Sequence, residues 1–178
     1  MAMTRKRMLI VDGYNVLRSG YRYRDIEAED YDDDAFNTAR EMLLKDVISF
    51  AGKTYKACIV YDGGGNVHST GAPQTIGGVD VVFSPAGSTA DKVIERLAHE
   101  AAEKGIEVMV VTSDATIQDT VFGGGVDRMS ANGFSHEMEM LVQEVHLDES
   151  PAVAEKRTVA ERLDPETVRK LKALRDGR

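Results

Sequence analysis

A three-layer α/β/α sandwich around a mainly parallel sheet is the fold this sequence predicts. Short apolar runs alternate with amphipathic helical segments from the first residues onward, and each run is closed by polar or Gly-containing turns. Met8-Leu-Ile-Val11 stops at Asp12-Gly13 and reads as a buried strand. After an acidic loop, Phe36, Ala39, Leu43, Val47 and Phe50 recur at spacings of three and four. They predict a helix over 34–51, with Asp33 or Asp34 as N-cap and Gly52 as terminator. Ala57–Tyr61 and Val79–Phe83 are the second and third strands. The Gly-rich stretch between them, Gly63 to Gly78, is too polar for a core element. Ala90, Val93, Ile94, Leu97 and Ala101 mark a helix closed by Gly105, and Ile106–Val111 is the fourth strand. A short helix over 113–122 and an extended piece at 126–129 follow. The next helix carries Phe134, Met138, Leu141, Val142 and Val145. Asp164-Pro165 then opens a last, basic helix as an N-cap and N1 pair.

The chain has 178 residues, 42% hydrophobic and 29% charged, which excludes a mainly disordered protein and predicts one domain with a real core. No apolar run approaches the roughly 18 residues that span a bilayer. The opening run ends after four residues, short of a signal-peptide core of about 7–15. The single cysteine, Cys58, excludes an intramolecular disulfide and a thiolate metal cluster, and in mid-strand it reads as a small core residue. These features predict a soluble cytoplasmic protein. The net charge of −8 is unevenly spread. Residues 156–178 hold eight Lys/Arg against four Asp/Glu, so the tail is +4 and the body −12. A basic tail on an acidic body fits either a polyanionic partner or a solvated helix. The division expected is a domain over 1–147, then a linker and basic helix over 148–178, with docking of that helix left open.

In an open parallel sheet, ligands gather outside the carboxyl ends of the strands. Asp12 ends the first strand, Asp62 follows the second, Asp114 follows the fourth, and Asp91 lies in the first turn of the helix after the third. Four carboxylates therefore converge on one sheet edge, and Glu95, one turn beyond Asp91, shares its helix face. Like charges this close raise one another's pKa unless a cation neutralises them. An all-oxygen site of this kind suits Mg²⁺ or Mn²⁺, which can promote hydrolysis at phosphorus. Each acid also has an ordinary structural use. Asp91 could close a capping box with Ser88, Asp114 could cap a helix, and Asp62 precedes a turn glycine.

The motifs Val11-Asp-Gly-Tyr-Asn15, Tyr61-Asp62, Ser88-Thr-Ala-Asp-Lys-Val-Ile-Glu-Arg-Leu-Ala98, Val111-Thr-Ser-Asp114 and Phe122-Gly-Gly-Gly-Val-Asp-Arg-Met-Ser-Ala131 resemble the NYN (YacP-like) domain of the PIN-like nuclease superfamily. The resemblance spans about residues 7–147, in order. It implies a PIN-like fold and a metal-dependent ribonuclease, similar to ribosome-associated endonucleases that cut mRNA during translation. It also implies an acidic metal site of Asp12, Asp91 and Asp114 with Asp62 in support. Asn15 would hydrogen-bond the site or substrate, and Ser113 would lie at its edge. The sequence departs from the pattern at Gly63-Gly-Gly-Asn66, where relatives carry bulkier residues. It departs again at Asn132-Gly-Phe-Ser-His136, where they are rich in Arg and Glu.

Tyr14, Arg18, Arg22 and Arg24 are candidate substrate contacts, since guanidinium groups hold phosphates and rings stack on bases. The competing reading of Tyr21-Arg-Tyr-Arg24 is an ordinary surface loop. Gly52-Lys-Thr54 lacks the first glycine of a Walker A motif and ends a helix instead of opening one. Gly63-Gly-Gly lacks dinucleotide-binding spacing. Tyr14 stands where an aspartyl-phosphate phosphatase needs a second Asp. His68 lies in the flexible loop, and His99, His136 and His146 fall on helices away from the acidic edge. The expected activity is metal-dependent endoribonuclease cleavage of single-stranded RNA, leaving a 5′-phosphate and a 3′-hydroxyl. The alternatives are a non-catalytic RNA- or ribosome-binding module, or the same site acting on DNA or a small phosphate ester.

Overall fold

The computed structural model describes residues 7–28, 33–64, 66–117, 124–148 and 164–175. Its strands are β1 (Arg7–Asp12), β2 (Tyr55–Tyr61), β3 (Gln74–Ile76), β4 (Val79–Phe83), β5 (Val108–Val111) and β6 (Val126–Met129). Its helices are α1 (Gly13–Ser19), α2 (Tyr21–Ala28), α3 (Asp33–Ala51), α4 (Ala90–Glu103), α5 (Ala131–Asp148) and α6 (Pro165–Arg175). The strands form one sheet in the order β3-β4-β2-β1-β5-β6, parallel throughout except for β3 against β4. From β1 the chain builds outward through β2 and β4, then crosses back to β5 on the far side. That leaves a topological switch point between β1 and β5.

Alternation along the strands divides the core in two. Leu9, Val11, Ile59, Tyr61, Val81 and Val111 face one side and pack against Val16, Leu17, Tyr23, Leu43, Val47, Phe134 and Met138. Ile10, Cys58, Val60, Val82, Val108 and Val110 face the other side and pack against Ala90, Val93, Ile94 and Ala98 of α4. The result is the three-layer sandwich, with α4 on one face and the other helices on the opposite face. Among the described residues, no helix is long and apolar enough to cross a membrane.

Several predicted boundaries have a visible cause. Gly105, at φ +69°, ends α4. The Ile106 N–H reaches the Ala101 carbonyl and the Gly105 N–H reaches that of Ala102, a Schellman closure. Asp164 caps α6 by accepting the Thr167 N–H at 3.0 Å. That helix docks, because Leu171 is buried in the core beside α3. Asp33 and Asp34, the expected N-caps, already lie inside α3, while the Phe36 side chain, residues 118–122 of the predicted short helix and residues 149–163 of the linker predicted over 148–164 lie outside the described residues. The near half of that short helix is a single helical turn at 115–117.

Two stretches differ from the sequence reading. The segment read as loop before α3 contains α1 and α2. These helices are too short for periodicity to reveal and are held by tertiary contacts. Tyr23 is fully buried, and its hydroxyl donates to Asp46 Oδ2 at 2.6 Å. Arg22 forks onto the same carboxylate at 2.8 and 3.3 Å. Tyr21 donates to Glu139 at 2.8 Å and ties α2 to α5. The Gly-rich stretch, in turn, contains β3. Ile76 pairs with Val79 across Gly77 and Gly78, both at positive φ, the backbone that a two-residue type I′ hairpin requires.

The Asp46 cluster generates a stability prediction. Asp46→Ala leaves a largely buried guanidinium without its carboxylate and should lower stability by about 2–4 kcal/mol. Arg24→Ala, at an exposed 3.9 Å contact with Asp25, should change it by less than about 0.5 kcal/mol. Urea midpoints of the two variants check both values.

Candidate active site

Strand parity decides which side chains reach the carboxyl edge of the sheet. Val11, Tyr61, Phe83 and Val111 all turn toward the α3 side. The next residue along the chain in each case, Asp12, Asp62, Ser84 and Thr112, therefore turns toward α4. Asp91 meets them from the first turn of α4. Asp114 comes from just beyond β5, across the switch point from Asp12. Asp12, Asp62, Asp91 and Asp114 line a single open cleft of about 810 Å³, together with Tyr14, Asn15, Arg18, Ser19, Gly63, Gly64, Asn66, Ser69, Phe83 and Ala90.

Each acid is held by named partners. The Thr112 hydroxyl donates to Asp12 Oδ2 at 3.2 Å, and the Asp114 N–H donates to Thr112 Oγ1 at 3.1 Å, so one threonine ties the Asp12 carboxylate to the backbone of Asp114. Asp114 Oδ1 accepts the Thr116 N–H and hydroxyl at 2.9 and 2.6 Å. Asp62 accepts the Gly64 N–H at 2.8 Å and the Ala90 N–H at 3.5 Å. Asn15 Oδ1 accepts the Ser113 N–H at 2.7 Å, clasping the start of α1 to the end of β5. The N-cap of α4 is Thr89, accepting from Lys92. The capping box that would have occupied Asp91 is therefore absent.

The electrostatics follow from this placement. Burial pushes the Asp12 carboxyl up to about 6; Thr112 opposes the rise, and Asp91 and Asp114 add to it. Burial also raises Asp91, with further upward pressure from Asp114, Glu95 and Asp62. Asp114 moves the other way, because the hydroxyl and N–H of Thr116 stabilise its anion. The edge therefore concentrates negative charge that no lysine or arginine of the cleft neutralises, apart from Arg18 at its rim. Among the described residues, Arg18 is the one basic side chain lining the cleft.

The glycines beside the site are sterically required. A Cβ on Gly13 would lie 2.2 Å from the Tyr61 ring, and one on Gly63 would lie 2.3 Å from the Ser84 carbonyl. The second contact accounts for glycine immediately after Asp62.

A model of the YacP-like NYN domain matches residues 9–176. The chain belongs to the YacP-like NYN family. The match runs through α6. The chain is 30% identical over 138 residues to the uncharacterized protein YacP of Bacillus subtilis (strain 168), covering 78% of either sequence. The crystal structure of Rae1 (YacP) from Bacillus subtilis superposes with a TM-score of 0.65 at 27% identity, over 96% of this chain and 95% of that one. The crystal structure of a Trp-to-Leu mutant of the same Bacillus protein gives 0.63 at 25% identity, over 93% of this chain and 98% of that one. The fold of the NYN family is nuclease-like.

Within this NYN domain, Asp12, Tyr14, Asn15, Arg18, Asp62, Asp91 and Asp114 share the cleft. The other candidates lie elsewhere. Ser113 turns its hydroxyl to the Ala131 N–H at 2.9 Å and so caps α5. Glu95 acts on Asp91 through its charge without lining the cleft. Arg22 is committed to Asp46, and Arg24 to its contact with Asp25, both outside the cleft. Tyr21–Arg24 is neither a surface loop nor a cleft wall; it is a helix locked onto α3 and α5. His68 is exposed and does not line the cleft. Thr112 escaped the sequence reading, although it sits between two motif residues. Its only signal was the parity that puts it beside Asp12.

The donors present are hard oxygens carrying surplus negative charge, which suits a divalent cation such as Mg²⁺ or Mn²⁺. Among the described residues, no three His, Cys, Asp or Glu side chains form a ready-made cage. That spacing is compatible with an ion that keeps several waters and takes only one or two protein carboxylates directly.

The raised Asp12 pKa yields a signed prediction. Asp12 holds its proton more tightly in the folded chain, so folded stability falls as pH rises from about 4 through 6. The loss reaches up to about 3 kcal/mol at neutral pH without a cation. In chelator at pH 7.5, Asp12→Asn should be more stable than wild type, and the gain should vanish near pH 4. Denaturation midpoints at the two pH values check this, and equal midpoints at pH 7.5 would contradict it.

Proposed function

We propose that this NYN domain is a metal-dependent endoribonuclease acting on single-stranded RNA. The observation that carries the reading is the convergence of Asp12, Asp91 and Asp114 on one cleft, with Asp12 and Asp91 raised by burial and by nearby carboxylates. Asp12, Asp91 and Asp114 would hold Mg²⁺ or Mn²⁺, with Asp62 orienting water at the rim. When bound, the cation supplies water activation and stabilises the charge that develops at phosphorus. Thr112 fixes the Asp12 carboxylate, Asn15 keeps the β1 and β5 ends in register, and Arg18 receives a backbone phosphate. In-line hydrolysis then leaves a 5′-phosphate and a 3′-hydroxyl.

We assign mRNA engaged by the ribosome as the substrate, which places the activity in the cytoplasm. A chain of net charge −8 with one cleft arginine among its described residues has little electrostatic affinity of its own for RNA. A carrier that already holds the strand would supply what the cleft lacks.

The test uses one labelled mRNA, naked and on translating ribosomes, with Mg²⁺ or Mn²⁺ and with chelator. Wild type should cut only with metal, and faster on ribosomes. Asp12→Asn and Asp114→Asn should lose more than about a hundredfold in rate with the fold intact. Asp62→Asn, whose carboxylate is partly spent on backbone N–H groups, should lose about tenfold. Full activity in Asp12→Asn would overturn the assignment. Absence of cutting in both formats would favour the non-catalytic binding module.

A further inference from the structure

We propose that Phe83 and Tyr14 form a nucleobase-stacking shelf in the cleft, taking the base of a nucleotide next to the phosphate at the carboxylates. The choice of RNA as ligand rests on the nuclease reading above. Three rings run together at the ends of β2 and β4 and the start of α1. Tyr61 is 3% exposed and sits at the centre. Its ring centroid lies 5.3 Å from that of Phe83, stacked at 26°, and 4.8 Å from that of Tyr14, tilted at 50°. The two outer rings are half-buried, and both line the cleft.

The stack is assembled before any ligand arrives. Tyr61 and Phe83 are register partners on adjacent parallel strands, and the Tyr61 ring lies against Gly13 at a distance that excludes any side chain there. A preformed aromatic surface binds a base without an ordering cost, and such stacking is worth a substantial factor in affinity for each base. The Arg18 guanidinium sits over the Tyr14 ring, 5.8 Å from its centroid, so a phosphate held by Arg18 lies beside the aromatic group. The cleft volume, about 810 Å³, is within the range of sites that take whole organic ligands. A cation and one phosphate leave room in it for a nucleoside.

Two polar side chains of the cleft are already partly engaged. Asn66 Oδ1 is occupied by the His68 N–H at 3.0 Å, and the Ser69 hydroxyl is donated to the Ser84 carbonyl at 2.8 Å. Every base presents a π-face, so stacking on the shelf requires a base more than it selects which one.

Binding is measured with the full chain carrying Asp12→Asn, so that cutting does not intervene. The probes are a single-stranded oligoribonucleotide and versions of it with one abasic nucleotide at successive positions. One abasic position should weaken binding by about five- to a hundredfold, while swapping bases there should change it far less. Adding Phe83→Leu should weaken the intact oligonucleotide by a similar factor and abolish the further loss from the abasic position. A 2-aminopurine at that position should be quenched on binding, and less so by the Phe83→Leu chain. Equal affinity for every abasic version, or no RNA binding at all, would overturn the shelf. That comparison needs no change at Phe83, so it holds even where the variant does not fold. Metal-dependent cutting by wild type without any abasic effect would reject the shelf alone. Base-dependent binding without cutting would keep the shelf and reject the nuclease.

Discussion

Carboxylates gathered at the end of a parallel sheet repel one another, and much of the local structure serves to hold them there. Thr112 is the clearest case, because its hydroxyl donates to Asp12 and accepts from the backbone of Asp114. Asp62 and Asp114 are fixed in turns of their own backbone. Asp12 has the least freedom to relieve the repulsion by moving into water, being 6% exposed, and its carboxyl rises furthest toward neutrality. A site built this way stores unfavourable charge in the metal-free chain that a cation can relieve. The surplus negative charge also opposes indiscriminate binding of polyanions.

The two sides of the sheet divide the labour. Residues that turn toward α4 at the strand ends are acidic or hydroxylic and meet Asp91. Residues that turn toward α3 are apolar or aromatic: Val11, Tyr61 and Val111 belong to the larger core, and Phe83 packs against it. One step along the chain separates chemistry from packing at β1, β2 and β5. The Arg22–Tyr23–Asp46 cluster holds α2 against α3, which in turn backs the helix carrying Asn15 and Arg18. The C-terminal helix is part of this body through Leu171 and Leu174.

How much of this was legible depended on whether the signal was local. Asp12, Asp62 and Asp114 follow apolar runs, so their position at the sheet edge could be read from the strand-end rule. Gly105 and Asp164-Pro165 announced helix ends through backbone chemistry carried by single residues. Arg22 looked like a substrate contact because its partner, Asp46, is 24 positions away in another helix. Ser113 looked like a site residue because nothing local shows that the start of α5 takes its hydroxyl. α1 and α2 have too few turns for a period to emerge. The β3–β4 hairpin was readable in Ile76-Gly-Gly-Val79, but the surrounding glycines hid a two-residue turn inside an apparent loop. Thr89, and not Ser88, caps α4, a one-residue difference that freed Asp91 for the cleft.

The central claim is that the acidic edge is a cation site. Calorimetric titration of the purified chain with Mn²⁺ at several pH values tests it most directly. Saturable binding at neutral pH that weakens as pH falls through about 6, with proton release growing over the same range, is the result predicted by a buried Asp12 that must ionise to receive the ion. No saturable binding at neutral pH would contradict it.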